Sequence, residues 1–204
     1  MNKESQASMN IRYLKDVARR LDVENVANHV LNDPRFFIWS GSGKQGQHHY
    51  GKHGLVIHTA EVVRLCITND RDMGYNIDAR ELYLSALFHD CGKMWDYMAA
   101  SEFISENDTT KTYGFTYDIW SKTDHNRKIH HISRSVIEWT KASLLVLPIE
   151  LIDNVTHAIL AHHGQRAWGS PVAPKTALAW MLHLCDGISA RMNDCDTWDP
   201  YSGK

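Results

Sequence analysis

The chain has 204 residues, a formal net charge of −2, 43% hydrophobic and 23% charged residues. That length suits one domain, and the apolar fraction is enough to bury a core, which excludes global disorder. The absence of a basic excess argues against a long nucleic-acid-binding stripe, and with no apolar run of membrane-spanning length and no apolar signal region in MNKESQASMN, a cytoplasmic protein without membrane contact is expected.

Residues 1–9 are polar and read as loose. Ile11, Leu14, Val17, Ala18 and Leu21 recur at helical spacing. Val26, Val30 and Leu31 continue that pattern after a break near Asp22, and Asn32, Asp33 and Pro34 end it. A Gly- and His-rich loop follows, WSGSGKQGQHHYGKHG. LVIHTAEVVRLCI reads as a helix with Leu55, Val62, Leu65 and Cys66 toward the core, and ELYLSALFHDCGK as a second one ending near Gly92. Residues 101–127 carry Asn, Asp, Thr and Gly and read as a long inserted loop, with room for a short hairpin around TYGFTYDIW. KIHHISRSVIEWTKASLLV, IELIDNVTHAILAHHG and, after Pro171 and Pro174, TALAWMLHLCDGISARM are further helices. The expected architecture is an all-α helical bundle with a helical extension over 1–33, a main domain over 34–193 and a polar tail over 194–204.

Four cysteines, Cys66, Cys91, Cys185 and Cys195, form no CxxC pair, which removes a zinc-knuckle reading. The unusual count is thirteen histidines. His58 sits mid-helix in GLVIHTAEV, His89 and Asp90 are adjacent in ALFHDCGK, His162 and His163 in ILAHHG, and Asp186 lies in LHLCDGISAR. A lone histidine in an apolar helix is usually a core residue bonded to a backbone carbonyl. A buried aspartate is harder to dismiss, because an unpaired buried carboxylate must shift its pKa or find a cation. Two such aspartates with several such histidines on separate helices point to convergence on metal. Imidazole and carboxylate together suit Mn²⁺, Fe²⁺, Co²⁺, Ni²⁺ or Zn²⁺ and fit Mg²⁺ less well, and Mn²⁺ is the ion expected.

The H…HD…D order resembles the HD-domain phosphohydrolases. The five blocks HHYGKHGLVIHTAEVV, ALFHDCGK, HHIS, LAHHGQRAWGSPVAPKT and LHLCDGISAR resemble most closely the HD domain of YhaM-type 3′–5′ exoribonucleases. The HH…GL…H opening is also similar to the HD domain of certain conjugative relaxases. The resemblance makes residues 34–193 an HD phosphohydrolase domain. It implies a first divalent metal on His58, His89, Asp90 and Asp186, and a second on Asp90, His131, His162 and His163, so one or two ions per chain. His131 rather than His130 matches the family position. The sequence departs from the family in reading His53-Gly54 where a Gly pair is usual, in carrying His130 where Gly is usual, and in leaving about thirty-three residues ahead of the motifs, too few for an OB-fold.

Asp90 and Lys93 are the catalytic candidates, Asp90 as the bridge between ions and Lys93 as a point charge for a phosphate oxygen. The substrate-binding candidates are His48, His49 and Tyr50 in the loop, Lys93, and Arg166, Trp168 and Lys175 after HHG, with Trp168 able to stack on a base. His29, His125, His157 and His183 read as ordinary structural histidines. The expected activity is metal-dependent phosphodiester cleavage, as a 3′–5′ exonuclease or on short oligonucleotides. The alternatives are a nucleotidase or nucleotide triphosphohydrolase, a nucleotide-binding regulatory module without turnover and, more distantly, a relaxase-like transesterase. The expected partners are a nucleic-acid 3′ end, an oligonucleotide or a nucleotide, with a homo-oligomer open.

Overall fold

The computed structural model describes residues 2–107 and 110–192, with side chains outside 101–118. The expected polar tail with Cys195 lies outside the described residues. Helix α1 spans Lys3–Arg20, α2 Glu24–Leu31 and α3 Pro34–Ile38. The expectation of a loose start is corrected: the Asn2 side chain accepts from the Ser5 N–H at 2.8 Å and caps α1, and Ala7 is fully buried. Pro34 ends the preceding pattern but also begins α3, where it needs no N–H donor and Asp33 caps the turn.

Helices α4 (Gly54–Met73), α5 (Ala79–Phe88), α9 (Ile149–Ala161) and α10 (Ala177–Met192) pack in a ring, each against the next. Their apolar stripes, with Leu55, Val62, Leu84, Leu87, Ile159 and Leu182, fill the centre of the core. Helix α8 (His131–Ser143) lies against α9 and buries Trp139, while α1 and α2 cover α4 and α8. A single turn, α6 (Lys93–Asp96), follows α5, and α7 (Asp124–Lys128) precedes α8. Among the described residues no helix is long and apolar enough to cross a membrane.

The inserted segment is more ordered in its backbone than its composition suggests. Strands β1 (Tyr97–Asn107) and β2 (Thr110–Lys122) pair antiparallel, with register shifts between Ala99 and Ala100 and between Phe103 and Ser105. The base of the hairpin is tied to the bundle. Trp39 Nε1 donates to the Tyr97 carbonyl at 2.9 Å, the Trp120 N–H donates to Tyr50 Oη at 2.9 Å, and Trp39 meets Trp120 edge to face. These contacts bring Tyr97 and Lys122 to the mouth of the cleft described next.

Candidate metal centre

Five of the expected residues arrive from four helices at one point. His58 lies one turn inside α4, His89 and Asp90 at the end of α5, His162 at the end of α9 and Asp186 within α10. His58, His89, Asp90 and Asp186 each offer a ligand atom within 4.8 Å of the others, and so do His131, His162 and His163. Asp90 joins the two groups. Its Oδ2 lies 3.3 Å from Nε2 of both His58 and His89, and its Oδ1 lies 3.5 Å from His131 Nε2 and 3.7 Å from His162 Nε2. Asp186 Oδ1 is 3.1 Å from His58 Nε2.

The histidine tautomers follow from what each Nδ1 meets. His89 Nδ1 is 2.8 Å from the Ala86 carbonyl and His162 Nδ1 2.7 Å from the Ile159 carbonyl, and a carbonyl only accepts. His131 Nδ1 meets Asp96 Oδ2 at 3.3 Å, and His58 Nδ1 meets Ser189 Oγ at 3.0 Å while that hydroxyl donates to Glu61 Oε2 at 2.9 Å. Each ring therefore carries its proton on Nδ1 and turns the Nε2 lone pair inward, the orientation that outer hydrogen bonds impose on metal-binding imidazoles. Nε2 of His58 and His89 lie 3.2 Å apart, a contact that a shared proton or a cation can bridge, and Asp90 Oδ1 and His162 Nε2 are buried without a hydrogen-bond partner. Convergent imidazole and carboxylate acceptors, two of them buried and unpartnered, suit a cation, so the residues present fit divalent metal.

The electrostatics agree. Burial alone would raise the Asp90 carboxyl, but Lys93 and His89 outweigh it and hold Asp90 well below the usual carboxylate range. Burial likewise opposes Asp186, whose bonds to His58 and His89 keep it ionised. For His89, burial is overcome by Asp90 and Asp186, and its pKa rises to about 10: a proton takes the place that a cation would fill. Burial lowers His131 to about 4, and burial with His162 and His131 lowers His163 to about 2, so both rings are neutral near pH 7.

Two cavities flank the cluster and share His163, Asp186 and Ala190. One, of about 290 Å³, is walled by His48, Lys93, Lys122, Asn126 and His130. The other, of about 450 Å³, lies toward Trp168 and His183. Lys93 Nζ donates to Asp90 Oδ2 at 2.6 Å and to the Gly41 carbonyl at 2.8 Å. The glycine before it is required by close approach, because a Cβ on Gly92 would collide with the His131 carbonyl at the start of α8. The loop residues divide. His48 faces the smaller cavity, His49 Nε2 turns to Glu61 Oε2 at 2.9 Å, and Tyr50 is engaged at the hairpin base. Arg166, in the turn Arg166–Trp168, and Lys175, whose backbone N–H donates to His157 Nε2, line neither cavity.

Sequence reasoning missed the outer ring. Asp96 is fully buried and accepts from His125 Nδ1 and Asn126 Nδ2 at 2.7 Å each and from the His131 N–H at 2.9 Å. Despite burial, its bonds to His131, His125 and Asn126 lower its pKa to about 2. Glu61 was readable, since it stands three residues after His58 on the same helix face. Ser189 was not. Glu61→Gln and Ser189→Ala should each weaken divalent-ion affinity about 10- to 100-fold, the usual loss when the group orienting a metal-binding histidine is removed. Competition with a chelating dye measures it, and wild-type affinity in both variants would show that His58 needs no such support.

A family model described as HD domain matches residues 55–191. The chain is 29% identical over 189 residues to a protein of Bacillus pumilus (strain SAFR-032) named 3′-5′ exoribonuclease YhaM, an alignment that covers 91% of this chain and 54% of that protein. The chain thus spans about half the length of this curated relative. No solved structure gives a significant match.

Proposed function

The chain belongs to the HD-domain family, and from that premise we propose a metal-dependent phosphohydrolase that cuts phosphodiester bonds, as a 3′–5′ exonuclease or on short oligonucleotides. The observation that carries the reading is the placement of Asp90, with one oxygen toward His58 and His89 and the other toward His131 and His162. His58, His89, Asp90 and Asp186 would hold one ion, and Asp90, His131, His162 and His163 a second, a mixed imidazole and carboxylate set that suits Mn²⁺, Fe²⁺, Co²⁺, Ni²⁺ or Zn²⁺. Bound there, such ions would offset the charge of the phosphate oxygens and lower the pKa of water from ~15.7 toward ~7.

The chain's own groups do the rest. Lys93 is fixed by Asp90 and the Gly41 carbonyl, which occupy two of its three hydrogens and leave one for a phosphate oxygen. His48, on the wall of the same cavity, supplies a second group able to donate to phosphate or to the leaving oxygen. Asp96 keeps His131 in one tautomer, and Ser189 does so for His58. The name of the relative supports a nucleic-acid 3′ end as substrate.

The smaller cavity offers only Lys93 and Lys122 as permanent cations, so few phosphates are contacted at once. Each single-strand phosphate contact contributes a slope of about 0.7 in log affinity against log salt. The expected behaviour is shallow salt dependence and product release after each cut. A labelled oligonucleotide should give a ladder of intermediates on a gel, with comparable rates on dinucleotides. Turnover of mononucleotides alone would establish the nucleotidase instead, and metal binding with no turnover of any phosphoester would leave a nucleotide-binding regulator.

A further inference from the structure

The two cavities that meet at the metal cluster differ in chemistry. The smaller is cationic and polar, with Lys93, Lys122, Asn126 and His130. The larger has Arg191 as its one permanent cation, and its lining is otherwise chiefly the rings of Trp168, His183, His162 and His163 with Gly187 and Ala190 between them. Trp168 is 60% exposed, an uncommon state for so large an aromatic. Its ring lies nearly parallel to that of His183, at 6.0 Å between centroids and 24° between planes.

His183 is fixed in this place. Its Nδ1 donates to the His162 carbonyl at 2.8 Å, and Trp180 meets its ring edge to face. Gly164, at φ +87°, makes the room: a Cβ there would stand 2.5 Å from the His183 ring. Gly169, directly after Trp168, turns the chain at φ +99° beside the His163 ring. The aromatic pair is thus registered, through the backbone of the HHG turn, to the side chains of His162 and His163.

We propose that the larger cavity is a nucleobase subsite, in which the terminal base of the substrate lies against Trp168 while the phosphates run past the metal cluster toward Lys93 and Lys122. The proposal rests on the phosphohydrolase reading and gives it a direction: the base on the Trp168 side, the anionic chain on the hairpin side. The cavity, about 450 Å³, falls in the range of small-ligand sites. Its selectivity is for an aromatic ring rather than for one base, because a π-face is common to all of them and Trp168 carries a single donor. His183, an ordinary structural histidine by sequence, becomes a positioning residue for the platform.

The test is a fluorescence titration with the monophosphate of 2-aminopurine ribonucleoside, excited outside tryptophan absorption, on Zn²⁺-loaded protein. Stacking on an aromatic ring quenches this probe. Wild type should give saturable quenching, Trp168→Phe should retain it, and Trp168→Ala should weaken binding about 5- to 150-fold, the effect expected for one base–aromatic stack. Gly187→Leu fills the cavity from a helix position where a Cβ meets nothing within 4 Å, and should abolish quenching without touching Trp168. No quenching in wild type, or equal quenching in Trp168→Ala, overturns the subsite. Quenching without hydrolysis of any phosphoester would remove the phosphohydrolase reading and keep the subsite; hydrolysis without quenching would do the reverse.

Discussion

Asp90→Asn should lower phosphodiester turnover on the order of 10³-fold or more, the scale on which loss of a group at a reacting centre acts. The amide keeps the shape of the carboxylate but loses its charge and one acceptor oxygen, so it cannot face both histidine groups as Asp90 does through Oδ2 and Oδ1. Asparagine is the informative substitution because of Lys93. That ammonium is nearly buried and pairs with Asp90 at 2.6 Å. Asp90→Asn leaves that ammonium a neutral acceptor oxygen, whereas Asp90→Ala removes charge and acceptor together, a change that costs about 3–5 kcal/mol in comparable buried pairs and would mix lost chemistry with lost stability. Circular dichroism checks that Asp90→Asn keeps its helices, and initial rates on a labelled oligonucleotide measure the defect. Turnover within tenfold of wild type would remove Asp90 from the centre of the reaction.

Stripping divalent ions should abolish activity and lower the melting temperature by about 5–10 °C. An ion present at a hundred times its dissociation constant stabilises the folded chain by about 2.7 kcal/mol, and each kcal/mol moves the midpoint of a domain this size by about 2–4 °C. The structural cause is the inward set of Nε2 lone pairs and carboxylate oxygens, with Asp90 Oδ1 and His162 Nε2 buried and unpartnered. Reloading with Mn²⁺ or Zn²⁺ should restore the midpoint, and His58→Ala should blunt the response. Elemental analysis that finds no metal after loading, together with an unchanged midpoint on chelation, would refute the metal centre.

The sequence by itself determined which residues could do chemistry. His58, the His89-Asp90 pair, His162-His163 and Asp186 stand in runs of apolar residues that must be buried. A buried charge without a partner is so costly that these positions had to find one another or a cation. Helical spacing placed α4, α5, α8, α9 and α10 for the same reason, since an apolar stripe must find a neighbour. Tertiary structure alone decided what surrounds those residues. Glu61 and Ser189 are 128 positions apart and joined by one hydrogen bond, and Trp39 ties the hairpin at Tyr97 across 58 positions. The polar stretch 101–127 reads as loop because a two-stranded hairpin has little core of its own, and its register is held by bonds at the base. Residues 1–9 read as loose because one capping bond and one buried alanine leave almost no periodic signal. Tyr50 bonds at the hairpin base and Arg166 and Lys175 line neither cavity, whereas His183 on α10 and Trp168 meet because Gly164 lets the turn after His163 approach that helix. Local pattern records what a residue must bury; only the packing of distant segments decides what it faces.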